Sequence, residues 1–324
     1  MRLRPWLLTL LLTLGAATLA PAQDQRPELA PPGSLIIAQL GEAPVVISAP
    51  HGGRVRVPGA VERTKGVKVL DNNTAQLALL ISQRLTERFG RRPSLVVAHF
   101  SRKDADCNRA PDPAPDDEAY ASDAGKAVYE AYHHALDTCV AASRDAFGRR
   151  VLVVDVHGQG RMPEAIIRGT RQGRSMAHLV AEHGDEVIDG PRSIFGLLAS
   201  KGYSVEPPLR SNEVAREGRE QPPASEPLPE RLFSGGWITE RYGASNERGV
   251  NAIQLEFGRM RVDSLEKTAR DAADAIAEFA FTYLGVERPA ATREKPEQAN
   301  PDVPREDPDA SSPGPGAGGA GSGT

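Results

Sequence analysis

The sequence predicts an α/β sandwich around a mixed, mostly parallel sheet. Two observations carry that class. Short apolar runs of strand length alternate with longer segments whose apolar residues recur at helical spacing. The most continuous run, Val151 to His157, reads as a buried strand, and three such runs finish in or near a histidine or glutamate. An α/β sheet places its chemistry at the carboxyl ends of its strands.

In chain order, Leu35 to Ala38 and Pro44 to Ala49 read as short strands. The second stops at Pro50-His51-Gly52-Gly53, where two residues without a Cβ allow a sharp turn and close approach of a ligand. After Asp71-Asn72-Asn73-Thr74, the segment Ala75 to Phe89 carries Leu77, Leu80, Ile81 and Leu85 at helical spacing, and Gly90 closes it as a C-cap. Leu95 to Phe100 is a strand, Ser101 to Pro115 a polar loop, and Asp117 to Phe147 mainly a long helix. Val151 to His157 is followed by a weaker strand, Ala165 to Thr170. Ser193 to Ser200 suits a helix and Tyr203 to Val205 a strand. Glu213 to Pro229 is charged and proline-rich, a loop that suits a flexible cover. Trp237 to Thr239 and Ala252 to Phe257 read as strands, and Ser264 to Leu284 as an amphipathic helix. There is no internal repeat.

The two ends stand apart from this pattern. Met1-Arg2-Leu3-Arg4 is basic, Trp6 to Leu19 almost wholly apolar, and Ala20-Pro21-Ala22 small, the layout of a secretory signal peptide over residues 1–22. The run is short for a spanning helix, and the first cysteine is Cys107, so neither a membrane anchor nor a lipid anchor is expected after cleavage. Residues 287–324 turn to proline, glycine and charged side chains with little to bury, the composition of a disordered tail. Between them, about Gly33 to Val286, lies chain enough for one α/β domain. The expected product is exported, periplasmic or secreted.

The net charge of −4 comes without a basic stripe, which excludes nucleic acid as an expected partner. Cys107 and Cys139 either form one disulfide or remain two buried thiols. They are too few for a cysteine-rich zinc site.

His51, His157 and Glu256 fall at the ends of three apolar runs. If those strands lie side by side, two imidazoles and a carboxylate meet at one sheet edge, as in catalytic zinc sites that keep a position open for water. His157 is either such a ligand or a histidine satisfied in the core. Asp155, two residues earlier on the same strand face, either orients a ligand or bonds a neighbouring loop. Glu256 sits between Leu255 and Phe257, where a carboxylate is costly unless paired or working, and a general base is the better reading. His99 has no partner in the sequence around it, and His133, His134, His178 and His183 are expected at the surface. No serine lies in a Gly-x-Ser-x-Gly context. Metal-assisted hydrolysis is the remaining reaction class. The loop Ser101 to Arg109 leaves the same sheet edge and gathers Arg102, Lys103, Asn108 and Arg109. It is either a solvated charge run or an anchor for a substrate carboxylate.

These pieces together resemble the N-formylglutamate amidohydrolase family. The matching stretches are Ser48-Ala49-Pro50-His51-Gly52-Gly53, Asp71 with Thr74, Ser101-Arg102-Lys103, Asp106 with Asn108-Arg109, and Asp155-Val156-His157-Gly158. Arg168-Gly169-Thr170, Gly235 to Thr239 and Ile253 to Glu256 follow in the family's order. The resemblance implies a zinc carboxypeptidase-like three-layer sandwich with helices on both faces of the sheet. It implies one zinc per chain on His51 and His157, Glu256 as general base, and Asn108 with Arg109 gripping a substrate carboxylate, assisted by Arg102. Carboxypeptidases carry a glutamate three residues after the first histidine, where this chain has Arg54. Asp71 is the expected third ligand and Glu62 the alternative. The implied substrate is a small molecule or short peptide with a carboxylate, cleaved at a C–N amide bond. An exported peptidase or cell-wall amidase of the same fold, and a secreted module that binds a carboxylated ligand without catalysis, are the competing readings.

Overall fold

The computed structural model describes residues 34–209 and 234–289, so the expected signal peptide, the Glu213 to Pro229 loop and nearly all of the tail lie outside the described residues. Seven strands form one sheet in the order β1-β3-β2-β4-β7-β5-β6. β2 (Val45–Ala49), β3 (Ser94–Ala98), β4 (Leu152–Gly158) and β7 (Asn251–Phe257) run parallel. β1 (Ile36–Gln39) pairs antiparallel with β3, β5 (Ala165–Gly169) antiparallel with β7, and β6 (Ser204–Glu206) parallel with β5. The sheet is therefore mixed, with the parallel strands at its centre.

Helices cover both faces. Side chains alternate along a strand, and Val45, Ile47, Val154, Val156, Ile253 and Leu255 point to one face. There they pack with α1 (Thr74–Phe89), α5 (Ile194–Ser200) and α8 (Leu265–Tyr283). Two shorter helices, α3 (Ala177–His183) and α4 (Glu186–Asp189), and one further turn, α7 (Met260–Asp263), complete that half of the chain. On the opposite face Val46, Val153 and Ala252 meet α2 (Asp123–Phe147) and α6 (Trp237–Tyr242).

The face under α2 changes character along the strands. Val46, Val153 and Ala252 give way to Ser48, Asp155 and Gln254, and then to His157 and Glu256. Ser48 pairs with Asp155, Asp155 with Gln254, and His157 with Glu256 across the ladder. A shift of one residue in either pairing would turn this whole row into the other core.

Two expectations need correction. Trp237 to Thr239 is the start of helix α6, not a strand. Its first N–H groups are satisfied by distant Asn108: Trp237 donates to the Asn108 carbonyl at 3.4 Å and Ile238 to Asn108 Oδ1 at 2.9 Å. A run of three residues cannot announce such a cap. His133 is buried, not at the surface, with Nδ1 3.1 Å from the Tyr242 hydroxyl and Tyr129 and Tyr132 beside it. Gly52 and Gly53 also stand close against other parts of the chain. A Cβ on Gly53 would run into the backbone of His99 and Phe100, and one on Gly52 into the start of α1 at Ala75. Cys107 and Cys139 are free, buried thiols.

Two outcomes follow. Gly53→Ala forces a methyl into backbone and lowers unfolding free energy by about 1–3 kcal/mol in urea titration; an unchanged midpoint would contradict the close approach. Burial, reinforced by Arg241, pushes His133 down to about 4. The unfolded chain takes up that proton near pH ~6.5, so stability falls as pH drops from there towards the folded value. The urea midpoint of His133→Phe should depend less steeply on pH across that window than that of the wild type.

Candidate metal centre

His51 follows the end of β2, and His157 is the penultimate residue of β4, its neighbour in the sheet. Asp71 reaches them from the turn that starts α1. Its N–H donates to the His51 carbonyl at 3.1 Å, and its own carbonyl accepts from the Thr74 hydroxyl at 2.8 Å. The two Nδ1 atoms are 3.1 Å apart, and Asp71 Oδ2 lies 3.2 Å from Nδ1 of His157 and 3.5 Å from Nδ1 of His51. All three residues are buried, 1%, 2% and 6% exposed for His51, His157 and Asp71, and one ligand atom from each lies within 4.8 Å of the others.

What stands behind the rings decides what they can do. His51 Nε2 is 2.7 Å from Asp106 Oδ1, and His157 Nε2 is 2.7 Å from Asp155 Oδ2. Ionised carboxylates only accept, so each Nε2 carries the hydrogen, and each Nδ1 faces inward, where a bound cation would take the place of a proton. Two ring nitrogens and a carboxylate oxygen then face one another in the wall of a cleft, a donor set that a cation can bridge. The nitrogen and oxygen donors suit zinc, and the carboxylates behind the imidazoles are the usual support of such ligands.

That support is itself fixed. Asp155 Oδ1 accepts from Ser48 Oγ at 2.8 Å, and Ser48 Oγ is 2.8 Å from the Tyr132 hydroxyl. Asp106 accepts from Arg102 Nε at 2.9 Å and from the Asn108 N–H at 3.0 Å, while fully buried Arg63 lies 3.7 Å away. Asp71 Oδ2 accepts from the Gly158 N–H at 3.1 Å.

The local field separates the carboxyls. Burial works against charge on Asp71 and Asp106, yet the histidines hold Asp71 below the usual carboxylate range, and His51 with Arg102 holds Asp106 well below it. Burial likewise disfavours a proton on His157, but Asp155, Asp71 and Glu256 outweigh it and push its pKa up to about 10. Glu256 goes the other way. Burial raises its pKa, with His157 opposing and the Asp71 charge adding to the rise. A group of carboxyls with proton affinities driven apart is the electrostatic basis for dividing acid–base roles.

Glu256 lines the same cleft as the histidines, a cavity of about 610 Å³. Its Oε1 accepts from Gln254 Nε2 at 2.6 Å; Gln254 Oε1 in turn accepts from the Gly236 N–H at 2.8 Å and Asn108 Nδ2 at 3.1 Å. Both ends of the Asn108 carboxamide are thereby engaged, its Oδ1 by α6. Arg102 is buried between Asp106 and Asp71, with Nη1 3.6 Å from Asp71 Oδ1. Arg109 is half-buried in the cleft wall, paired with Asp117. Glu62, the alternative to Asp71, stands elsewhere, 37% exposed and 3.5 Å from Lys68.

Sequence reasoning gave no role to Asp106, Gln254, Arg63 or Arg261. The alternation Gln254-x-Glu256 in an apolar strand was a usable signal. Arg261 carried none: it reaches the cleft from α7, its Nε on the Asn72 carbonyl at 3.0 Å and its Nη1 on that of Phe257 at 2.8 Å.

No protein-family model and no curated protein matches this chain by sequence. The architecture is an α/β fold with a mixed seven-stranded sheet between helices. It is similar to N-formylglutamate amidohydrolase from Ralstonia eutropha JMP134, at 18% identity and a TM-score of 0.50, covering 76% of this chain and 98% of that one. A gene product of Agrobacterium tumefaciens aligns over 78% of this chain and 94% of its own, at 16% identity and a TM-score of 0.48. An N-acetylmuramoyl-L-alanine amidase of Nostoc punctiforme covers 74% and 97%, at 11% identity and a TM-score of 0.30, too distant to argue from.

Removing the carboxylate behind His157 tests the arrangement. In Asp155→Ala the ring loses its orientation, and zinc affinity measured against a chromophoric chelator should fall about 10–100-fold. Affinity equal to the wild type would remove Asp155 from the support.

Proposed function

We propose that the chain is a zinc-dependent amidohydrolase that cleaves a C–N amide bond in a carboxylated substrate. The observation that carries the reading is the pair of inward Nδ1 atoms facing the Asp71 oxygen, each imidazole backed by a buried carboxylate. His51, Asp71 and His157 would hold the ion. A zinc ion there supplies Lewis acidity to an amide carbonyl and to water. The roles of the side chains follow from their surroundings. Glu256, with its raised proton affinity, accepts a proton from the attacking water and delivers it to the leaving nitrogen. Gln254 holds one oxygen of Glu256, and Asn108 holds Gln254, so in this reading Asn108 positions the base instead of meeting the substrate. Arg109, in the cleft wall beside its partner Asp117, is the group set to meet a substrate carboxylate, and Arg102 helps keep Asp106 ionised. The basic, then apolar, first residues favour export, where the substrate would be a peptide or N-acyl amino acid outside the cytoplasm. Among the described residues no helix is long and apolar enough to cross a membrane.

Metal content of the purified chain tests the reading first. The wild type should carry about one zinc per chain, and His51→Ala and His157→Ala should each lose it. A wild-type chain that takes up no zinc would leave the non-catalytic binding module as the better reading. Glu256→Gln should keep its zinc while turnover on amide substrates drops about 10²-fold or more, and near-normal turnover would remove Glu256 as the base.

A further inference from the structure

The cleft continues past the metal centre. Across residues 66–70 it opens into a second cavity of about 840 Å³ that shares Val67, Val69, Leu70 and Arg102 with the first. Cavities of the first one's size already hold drug-sized ligands, so a single N-acyl amino acid leaves most of this space empty.

The second cavity is cationic. Five basic side chains line it, against one acid, Glu62. Two of the five are neutralised from behind: Arg56 by buried Asp104 at 2.7 Å and Arg102 by Asp106 at 2.9 Å. That leaves Arg54, Lys68 and Lys103. Lys68 and Lys103 share Glu62 Oε1 at 3.5 and 3.7 Å, and among the described residues Arg54 meets only the neutral Asn72 Oδ1, at 2.7 Å. One carboxylate among three cations leaves positive charge to spare. Between the two cavities stand Val67 and Val69, 50% and 72% exposed, an apolar ridge for a chain to lie across. The extension on the other side is balanced, with Arg109 paired to Asp117 and Arg171 to Glu240 at 2.8 Å.

We propose that the substrate is an acidic peptide that crosses the Val67–Leu70 ridge. It seats side-chain carboxylates among Arg54, Lys68 and Lys103 while the amide to be cleaved lies at His51, Asp71 and His157. The reaction rests on the amidohydrolase reading, and the substrate class rests on the second cavity and its charge. Hydrolysis breaks the C–N bond, water supplies the oxygen of the new carboxylate, and its proton leaves with the amine. The charge lies on one side of the cleft, so acidic residues are selected on one side of the cleaved bond.

Calorimetric titration of the full-length Glu256→Gln chain with zinc present tests this. The probes are hexaglutamate, hexaglutamine, N-acetylglutamate and inorganic tripolyphosphate. Hexaglutamate should bind about tenfold or more tighter than each of the others, and neutralising Arg54, Lys68 and Lys103 together to alanine should cost it about tenfold or more. All three side chains are surface groups, and a thermal melt of the variant checks that the fold is kept. Equal affinity for hexaglutamate and hexaglutamine, or hexaglutamate affinity unchanged in the triple variant, overturns the inference. Tripolyphosphate binding as tightly as hexaglutamate also overturns it, by making the patch a general anion site. Failure of the hydrolase reading would look different: no zinc and no turnover, with hexaglutamate still held through the three cations.

Discussion

A buried carboxylate behind each imidazole is the interaction on which the rest of this structure depends. Asp106 and Asp155 are wholly enclosed, and an ion in that position is tolerable only when its partners are in place. Each is therefore tied on both oxygens, to a histidine on one side and to Arg102 or Ser48 on the other. The pairing sets the tautomer of both rings and so decides which nitrogens face the centre. Breaking a buried pair of this kind by removing one member costs about 3–5 kcal/mol, so the geometry of the centre and the stability of its surroundings are the same set of contacts.

The sheet makes this possible by parity. Residues two apart on a strand share a face, so Asp155 supports His157 from within β4, and Gln254 holds Glu256 from within β7. The β4–β7 register then sets His157 beside Glu256. The apolar half of each strand anchors the register, and the polar half uses it.

This logic explains what was legible in the sequence. His51, His157 and Glu256 were visible because each closes or nearly closes an apolar run, and the α/β class followed from the alternation of those runs with helical segments. Asp71 came from resemblance alone, and the structure puts its carboxylate beside both histidines. What stayed hidden depends on contacts between distant parts of the chain. Asp106 and Arg63 lie in loops whose spacing has no period. His133 reads as one polar residue on a long helix, and its burial depends on Tyr242, more than a hundred residues away. The turn at Trp237 becomes helical because Asn108 supplies its cap.

β7, the last strand among the described residues, is an interior one, placed between β4 and β5. The sheet cannot be completed in the order in which it is synthesised, because its centre waits for residues 251–257. Any chain that has not yet placed them holds both histidines but lacks the neighbour that carries Glu256. A form that has not placed residues 251–257 therefore has its two histidines without the carboxylate that the β4–β7 register sets beside His157.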